Sequence, residues 1–397
     1  MSRFHSYLNT ATTIIRRYDG AEPFASMVKK FFSAQKKYGS KDRKQISHLC
    51  YCYFRTGKIF FTATTNTLET HIITALFLCT TEHNEILSVI APELEAFTAL
   101  PLDEKIALLQ QRTLIPAGDP YALIFPWQFF LSEGIAFRHL ALSFFTQPDL
   151  FIRIRPRYRE KVMEVLKASG ITYYTLGNDG IGLPNHTKAD EMFDMNREVV
   201  VQDYSSQRVQ ELLLPLQEQK QLQVWDCCAA SGGKSILTKD DLGDIALTVS
   251  DIRRSMLANL QSRFKQAGIS RYKAFVADLT RPGIDADPAG YDLVICDAPC
   301  SGSGTWARTP EQLYYWQENR LDHYTALQKK ITTAIVPFIK PGGHLLYITC
   351  SVFKNENEDI VNSILQQFDL ELLQMKVISG YNIKADTMFA ALLRKRQ

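Results

Sequence analysis

From residue 203 onward, short apolar runs alternate with stretches of helical periodicity. The runs are Leu222–Cys227, Asp244–Ser250, Tyr272–Ala277, Tyr291–Cys296 and His344–Thr349, while Arg253–Gln266 and Glu311–Phe338 carry the helical spacing. A helix between two strands returns the chain to the edge it started from, so the strands pair in parallel and helices cover both faces. The pattern predicts an α/β fold with a mostly parallel, doubly wound sheet. Ligands in such sheets sit beyond the carboxyl ends of the strands. The residues that close each run are therefore the ones to weigh.

The first run closes on Asp226-Cys-Cys-Ala-Ala-Ser-Gly-Gly-Lys-Ser235. Small residues there let the backbone approach a ligand closely. A P-loop is excluded, because Cys228 stands where the glycine five positions before Gly233 is needed, and no G-x-G-x-x-G is present. Asp251 closes the second run, 18 residues past Gly233, near the spacing at which a carboxylate holds a ribose diol. A helix N-cap is its alternative use. Asp278 closes the third run, either as an adenine contact or as a plain loop carboxylate. The fourth closes on Asp297-Ala-Pro-Cys-Ser-Gly-Ser-Gly304, where Pro299 stiffens a turn carrying Cys300. The fifth closes on Thr349-Cys-Ser351, and Asn355 with Glu358 reads as a capping box that opens the next helix. Cys350 thus also belongs to a strand-to-helix turn, whereas Cys296 falls inside a strand and reads as core.

Zinc asks for four ligands, usually with close Cys/His pairs. Cys296 and Cys300 have suitable spacing but different placements, and His344 belongs to the other end of the sheet, so no metal is expected. Two turn thiols and a carboxylate beside an adenosine-type pocket fit methylation of a pyrimidine carbon instead. C5 of cytosine is a poor nucleophile. Thiolate addition to C6 makes C5 enamine-like, and a carboxylic acid at N3 or N4 stabilises the adduct. The thiolate needs a depressed pKa or local activation.

At these residues the chain resembles the RNA cytosine-5 methyltransferases of the Sun/Fmu type, also called the Nol1/Nop2/Sun family. The matching segments are Asp226–Ser235, Asp251, Asp278, Asp297–Gly304 and Thr349-Cys-Ser351. Gln202-Asp-Tyr-Ser-Ser-Gln and Asp386-Thr-Met-Phe-Ala-Ala-Leu-Leu are similar to the family's lead-in and last antiparallel strand. The resemblance spans about residues 145–397 and implies a Rossmann-like class I methyltransferase domain with S-adenosylmethionine as methyl donor. It assigns Cys228, Ala229, Ala230, Ser231, Gly232, Gly233 and Lys234 to the methionine and ribose side of the pocket. Asp251 would take the ribose hydroxyls, Asp278 the adenine, and Asp297 a place near both cofactor and base. Cys350 would attack C6 and Cys300 would assist release of the adduct. Ser231 stands where the family usually has proline, and Arg253-Arg-Ser-Met does not place an arginine where many members have one.

The rest of the chain reads differently. Residues 1–140 follow helical spacing throughout, and residues 145–202 suggest a small α/β module. That module includes an alternating strand, Phe151-Ile-Arg-Ile-Arg, that sets Arg153 and Arg155 on one face. Residues 203–397 form the third expected domain. The net charge of +3 hides an asymmetry: residues 1–50 hold 10 basic and 3 acidic residues, residues 51–150 hold 5 and 10. The first segment reads as a solvated face or as a patch for nucleic acid. Tyr38-Gly-Ser-Lys-Asp-Arg-Lys-Gln-Ile and Tyr53-Phe-Arg55 resemble the helical RNA-binding domain of antitermination factor NusB, which implies RNA contact by these helices and an RNA-facing small module. Ribosomal RNA is the partner expected first. Transfer RNA, or a non-catalytic assembly factor that kept the fold, is the rival. The eight cysteines are too scattered for a disulfide scaffold. The most apolar stretches, Ile72–Cys79 and Tyr121–Leu131, fall well short of the roughly 18–20 residues a membrane span needs. A cytoplasmic monomer with reduced thiols is expected.

Overall fold

The computed structural model describes residues 2–61 and 66–397. The chain divides into two compact units. The first comprises Met1–Phe129, Ala136–Gln147 and Trp306–Gln317; the second comprises Phe130–Ile135, Pro148–Thr305 and Glu318–Gln397.

The first unit is helical, led by Arg3–Arg17, Phe24–Ala34, Ser40–Arg55 and Leu68–Cys79. Three of these bury one stripe each: Tyr7, Ala11, Ile14 and Ile15; Phe24, Val28 and Phe32; Ile46, Leu49, Cys50 and Tyr53. The fourth is buried nearly all round, from His71 to Leu78. Lys36, Lys37, Lys41 and Lys44 are exposed. The buried Arg55 guanidinium donates to the carbonyls of Phe144 (2.7 Å), Thr146 (3.3 Å) and Ala307 (2.9 Å), and so ties the three segments of this unit together.

The second unit holds two sheets. The smaller is antiparallel in the order β2-β3-β1-β4, with β1 Leu150–Ile154, β2 Tyr174–Leu176, β3 Gly180–Leu183 and β4 Val199–Val201. Its helix, Arg159–Ser169, ends on Gly170 in the left-handed conformation. Arg153 in β1 and Arg155 just past its end do share a face, and that face is turned inward. Both guanidinium groups meet the buried Asp240 carboxylate, at 2.8 and 2.6 Å. A buried cation needs such a partner.

The larger sheet is built from β5 Gln223–Asp226, β6 Ala246–Asp251, β7 Tyr272–Val276, β8 Tyr291–Asp297, β9 Ile339–Thr349, β10 Leu370–Ile378 and β11 Met388–Lys395. The order is β10-β11-β9-β8-β5-β6-β7, with β5 to β9 parallel and β11 antiparallel to both its neighbours. Alternate residues face opposite sides. Val224, Val249, Ile295 and Ile348 pack with Ile236, Leu260 and Phe264, while Trp225, Val294, Leu345 and Tyr347 pack with Ile331, Ile335 and Ile360. The chain winds from β5 outward to β7, then returns to β8 on the other side. The switch point therefore lies between β5 and β8, where a cleft opens beyond the carboxyl ends.

Two expectations are corrected. Glu311–Phe338 is not one helix: Glu311–Tyr315 and Asn319–Ile335 are separate, with Trp316 extended between them and a short 3-10 turn at Val336–Phe338. The first piece belongs to the helical unit, where Trp316 packs on Trp306 and the Tyr315 hydroxyl donates to the Tyr18 carbonyl at 2.6 Å. Nor do Asn355 and Glu358 form a capping box. The last helix, Glu358–Gln367, starts after Asn357, and the Glu358 carboxylate accepts from Ser132 Oγ and the Glu133 amide. No helix among the described residues is long and apolar enough to cross a membrane.

Candidate active site

β8 and β9 run in parallel register, with Asp297 opposite Ile348, so the turns that follow them leave the sheet side by side. They are laced together by the amides of Ala298, Gly304 and Val352, which donate to Ile348 O (2.8 Å), Cys350 O (2.9 Å) and Ser303 Oγ (2.9 Å). The two turn thiols meet as a result: Cys300 Sγ and Cys350 Sγ are 3.3 Å apart and half-buried. The hydrogen bond to Cys350, reinforced by burial, pushes the Cys300 thiol well above its ordinary pKa. Cys300 is thus the sulfur that holds its proton more tightly than a free thiol does.

A third group binds both turns. The fully buried Glu356 carboxylate accepts from the Ser301 amide (2.7 Å), from the Ser301 and Ser351 hydroxyls (2.5 Å each) and from Gln328 Nε2 (3.3 Å). Ser301 follows Cys300 and Ser351 follows Cys350, so one carboxylate fixes the residue next to each thiol. Burial raises the Glu356 pKa against the opposing effect of these donors. Glu356, Gln328 and the two serines were not expected from the sequence. The only signal was the repeated Cys-Ser pair.

The cleft beside the thiols has a volume of about 340 Å3, and its wall includes Cys228, Ala230, Asp251, Asp278 and Asp297. Asp297 pairs with Lys234, Nζ to Oδ2 at 3.2 Å, and the buried Lys234 also donates to Ser206 Oγ at 2.7 Å. Asp251 combines its two expected uses. One oxygen takes the Arg253 amide ahead of the helix Arg254–Gln266, the other takes the Ala230 amide at 3.0 Å, and the carboxylate still borders the cleft. Asp278 bonds the Thr280 amide and hydroxyl, which holds its carboxyl below the usual range. Ala229, Ser231, Gly232, Gly233 and Lys234 do not border the cleft; they shape it from behind.

That shaping is physical. Gly232 has φ +84°, and a Cβ there would lie 2.7 Å from Phe264, so only glycine lets the turn rest on the helix behind it. Ala230 also adopts a positive φ, 46°. Ser231, in the position of the family's usual proline, is held by Arg263, which donates to its carbonyl and hydroxyl at 3.1 and 2.8 Å. A side-chain clamp thus supplies the rigidity that proline would otherwise give. A larger hollow of about 630 Å3, lined by Gln223, Lys239, Arg271 and Lys273 among others, lies at the opposite ends of the strands and contains no thiol.

Residues 210–394 match the family described as 16S rRNA methyltransferase RsmB/F. This segment thus resembles an RsmB/F-type methyltransferase domain, of a family that uses S-adenosylmethionine. The chain is 30% identical over 267 residues to the probable ribosomal RNA small subunit methyltransferase B of Synechocystis sp., covering 64% of this chain and 59% of that protein. The chain spans about half the length of the curated relatives it matches. Among solved structures, PH0851 superposes with a TM-score of 0.68 at 19% identity over 98% of each chain. NSun6 from Pyrococcus horikoshii, solved with SFG, gives 0.57 at 15% identity over 70% of this chain and 97% of that one. These two likenesses are likenesses of fold.

Proposed function

We propose that this chain is an S-adenosylmethionine-dependent RNA cytosine-C5 methyltransferase acting on small-subunit ribosomal RNA in the cytoplasm. The observation that carries the reading is the pair of sulfurs 3.3 Å apart at neighbouring strand ends, on the turns next to a cleft that Asp297 and Pro299 border. The curated relatives, named as ribosomal RNA small subunit methyltransferases, support the choice of RNA.

The residues present fit the cofactor. Asp251 and Asp278 offer carboxylates to a ribose and an adenine along one wall, and the small Ala230 beside them leaves room for a ligand. When bound, the cofactor supplies an activated methyl group. Cys350 adds to C6 of the cytosine as its thiolate, with Cys300 Sγ 3.3 Å away. Asp297, one oxygen engaged by Lys234, would bond N3 or N4 of the base. After methylation, elimination breaks the Cys350 Sγ–C6 bond as the C5 proton is removed. Cys300, its own proton passed to solvent once Cys350 is bonded to carbon, takes that C5 proton as a thiolate and so assists release. The NusB-like reading of the first unit makes Lys36, Lys37, Lys41 and Lys44 a face for RNA phosphates.

The test is transfer of labelled methyl to cytosine C5 in undermethylated small-subunit RNA. Wild type should transfer, Cys350→Ala should be inactive, and Cys300→Ala should accumulate a covalent protein–RNA adduct. An adduct formed by Cys350→Ala instead would reverse the two roles, and no transfer to any cellular RNA would remove the function.

A further inference from the structure

Three more thiols converge away from the reacting pair. Cys227 follows β5, Cys228 opens the glycine turn, and Cys296 is the penultimate residue of β8. β5 and β8 are parallel neighbours, and the Cys227 amide donates to the Ile295 carbonyl at 2.9 Å, which brings residues 69 apart in the chain into contact. The three sulfurs lie within 4.8 Å of one another. Cys227 and Cys296 are buried, while Cys227 and Cys228 border the cleft, so the cluster is open to small solutes from that side.

We propose that Cys227, Cys228 and Cys296 form a site for a thiophilic d10 cation at the floor of the cleft, and that the ion and the methyl donor compete. Zn(II)–thiolate bonds are about 2.3 Å long, so a trigonal three-sulfur site for an ion of that size needs sulfur separations of about 4.0 Å, and a larger ion somewhat more. The observed set reaches that spacing with adjustments under about 1 Å, within the range of side-chain rotation. Soft thiolates select ions such as Cu(I), Zn(II) and Cd(II) over hard cations. Among the described residues no carboxylate or imidazole joins the cluster, which favours three-coordinate ions and leaves water from the cleft as the fourth ligand of a tetrahedral one. The ion draws Cys228 inward from the wall of the pocket. The competitive half of the proposal rests on the function proposed above; the binding half does not.

Cadmium is the probe. The reduced full chain is titrated with Cd(II) in the absence of RNA, and the thiolate-to-metal absorption in the ultraviolet is followed. One equivalent per chain is expected. Cys227→Ala, Cys228→Ala and Cys296→Ala should each weaken binding at least about tenfold against a competing chelator, as loss of a metal ligand does. The double variant Cys300→Ala/Cys350→Ala should bind like wild type. Loss of the band in that double variant alone, or full binding by Cys296→Ala, overturns the site. Where a core variant does not fold, the half-buried Cys228→Ala decides. With the site filled, labelled S-adenosylmethionine should bind at least about tenfold more weakly by equilibrium dialysis, a difference of about 1.4 kcal/mol. Unchanged cofactor binding overturns the competition. A chain that binds Cd(II) but never binds the cofactor refutes the function and leaves the metal site standing.

Discussion

Glu356 joins the two catalytic turns, and removing its carboxylate should separate stability from chemistry in a measurable way. In Glu356→Ala the Ser301 amide and Gln328 Nε2 lose this acceptor, and the Ser301 and Ser351 hydroxyls lose short bonds to a carboxylate. The hydroxyls, 3.2 Å apart, can turn to each other, so the main loss is a buried backbone donor and a cavity. A buried donor without its acceptor costs roughly 1–3 kcal/mol, and together with the cavity the loss should reach about 3–5 kcal/mol. The chemical effect comes from the sulfurs. If the turns part by about 1 Å, the single-turnover rate should fall about 100-fold, while the cofactor affinity, set by the other wall of the cleft, stays within about twofold. Glu356→Gln distinguishes positioning from bulk structure. Its carbonyl can still accept from the Ser301 amide, and its amide can donate to hydroxyls that have lone pairs to offer, so most of the rate should return. Denaturant melts, cofactor dialysis and single-turnover methyl transfer at saturating RNA provide the readouts. A folded Glu356→Ala with an unchanged rate, or a Gln variant no better than Ala, would refute the reasoning.

Three further perturbations test separate steps. Burial, opposed by the Ser235 hydrogen bond, raises the Asp226 pKa to about 7, against about 3.9 unfolded. Between those values the folded chain holds a proton that the unfolded chain has lost, so this residue's contribution to stability falls as pH rises, by about 4 kcal/mol in all. Asp226→Asn should lack that slope in urea melts from about pH 4.5 to about pH 7.5, a range that spans most of the window, and parallel curves for the two proteins would dismiss the assignment. A Cβ on Gly304 would lie 1.9 Å from the Thr387 carbonyl and 3.1 Å from that of Cys350, so Gly304→Ala should cost about 1–3 kcal/mol or more and lower methyl transfer; a wild-type Tm and rate would show that the turns yield freely. Charge reversal at Lys36, Lys37, Lys41 and Lys44 should weaken RNA binding and flatten its salt dependence by about 0.7–0.9 for each phosphate no longer neutralised, whereas an unchanged slope would mark that face as merely solvated.

What the sequence disclosed and what it withheld follow from which forces leave a local pattern. Burial between two helical layers writes apolar runs, and a parallel sheet puts the ends of those runs on one edge. Cys300 and Cys350 could therefore be placed together although 50 residues separate them. Asp251 and Asp278 were legible for the same reason. Partner choice leaves no such trace. The alternation in β1 put Arg153 and Arg155 on one face, but only Asp240, more than 80 residues away, decides that the face is buried. The break at Trp316 is equally non-local. The residues around it keep helical spacing with no proline or glycine at the break, and the aromatic packing inside the helical unit overrides that spacing.

Glu356 is the sharper case. In Lys354-Asn-Glu-Asn-Glu358 it reads as one more polar residue ahead of a helix, the usual sign of solvent. Its burial is tolerated only because four donors converge on it, three of them from two other segments. A network of that kind is assembled by the fold after the apolar pattern has set the register, so its members carry no periodic signature. The same holds for Cys227, just past β5, and Cys296 within β8, which count as small apolar residues in their own runs. Only the parallel pairing of β5 with β8 makes a cluster of them with Cys228. Residues that look ordinary in their own element but meet an ordinary-looking residue from the next strand at the switch point are thus where function exceeds what periodicity can report.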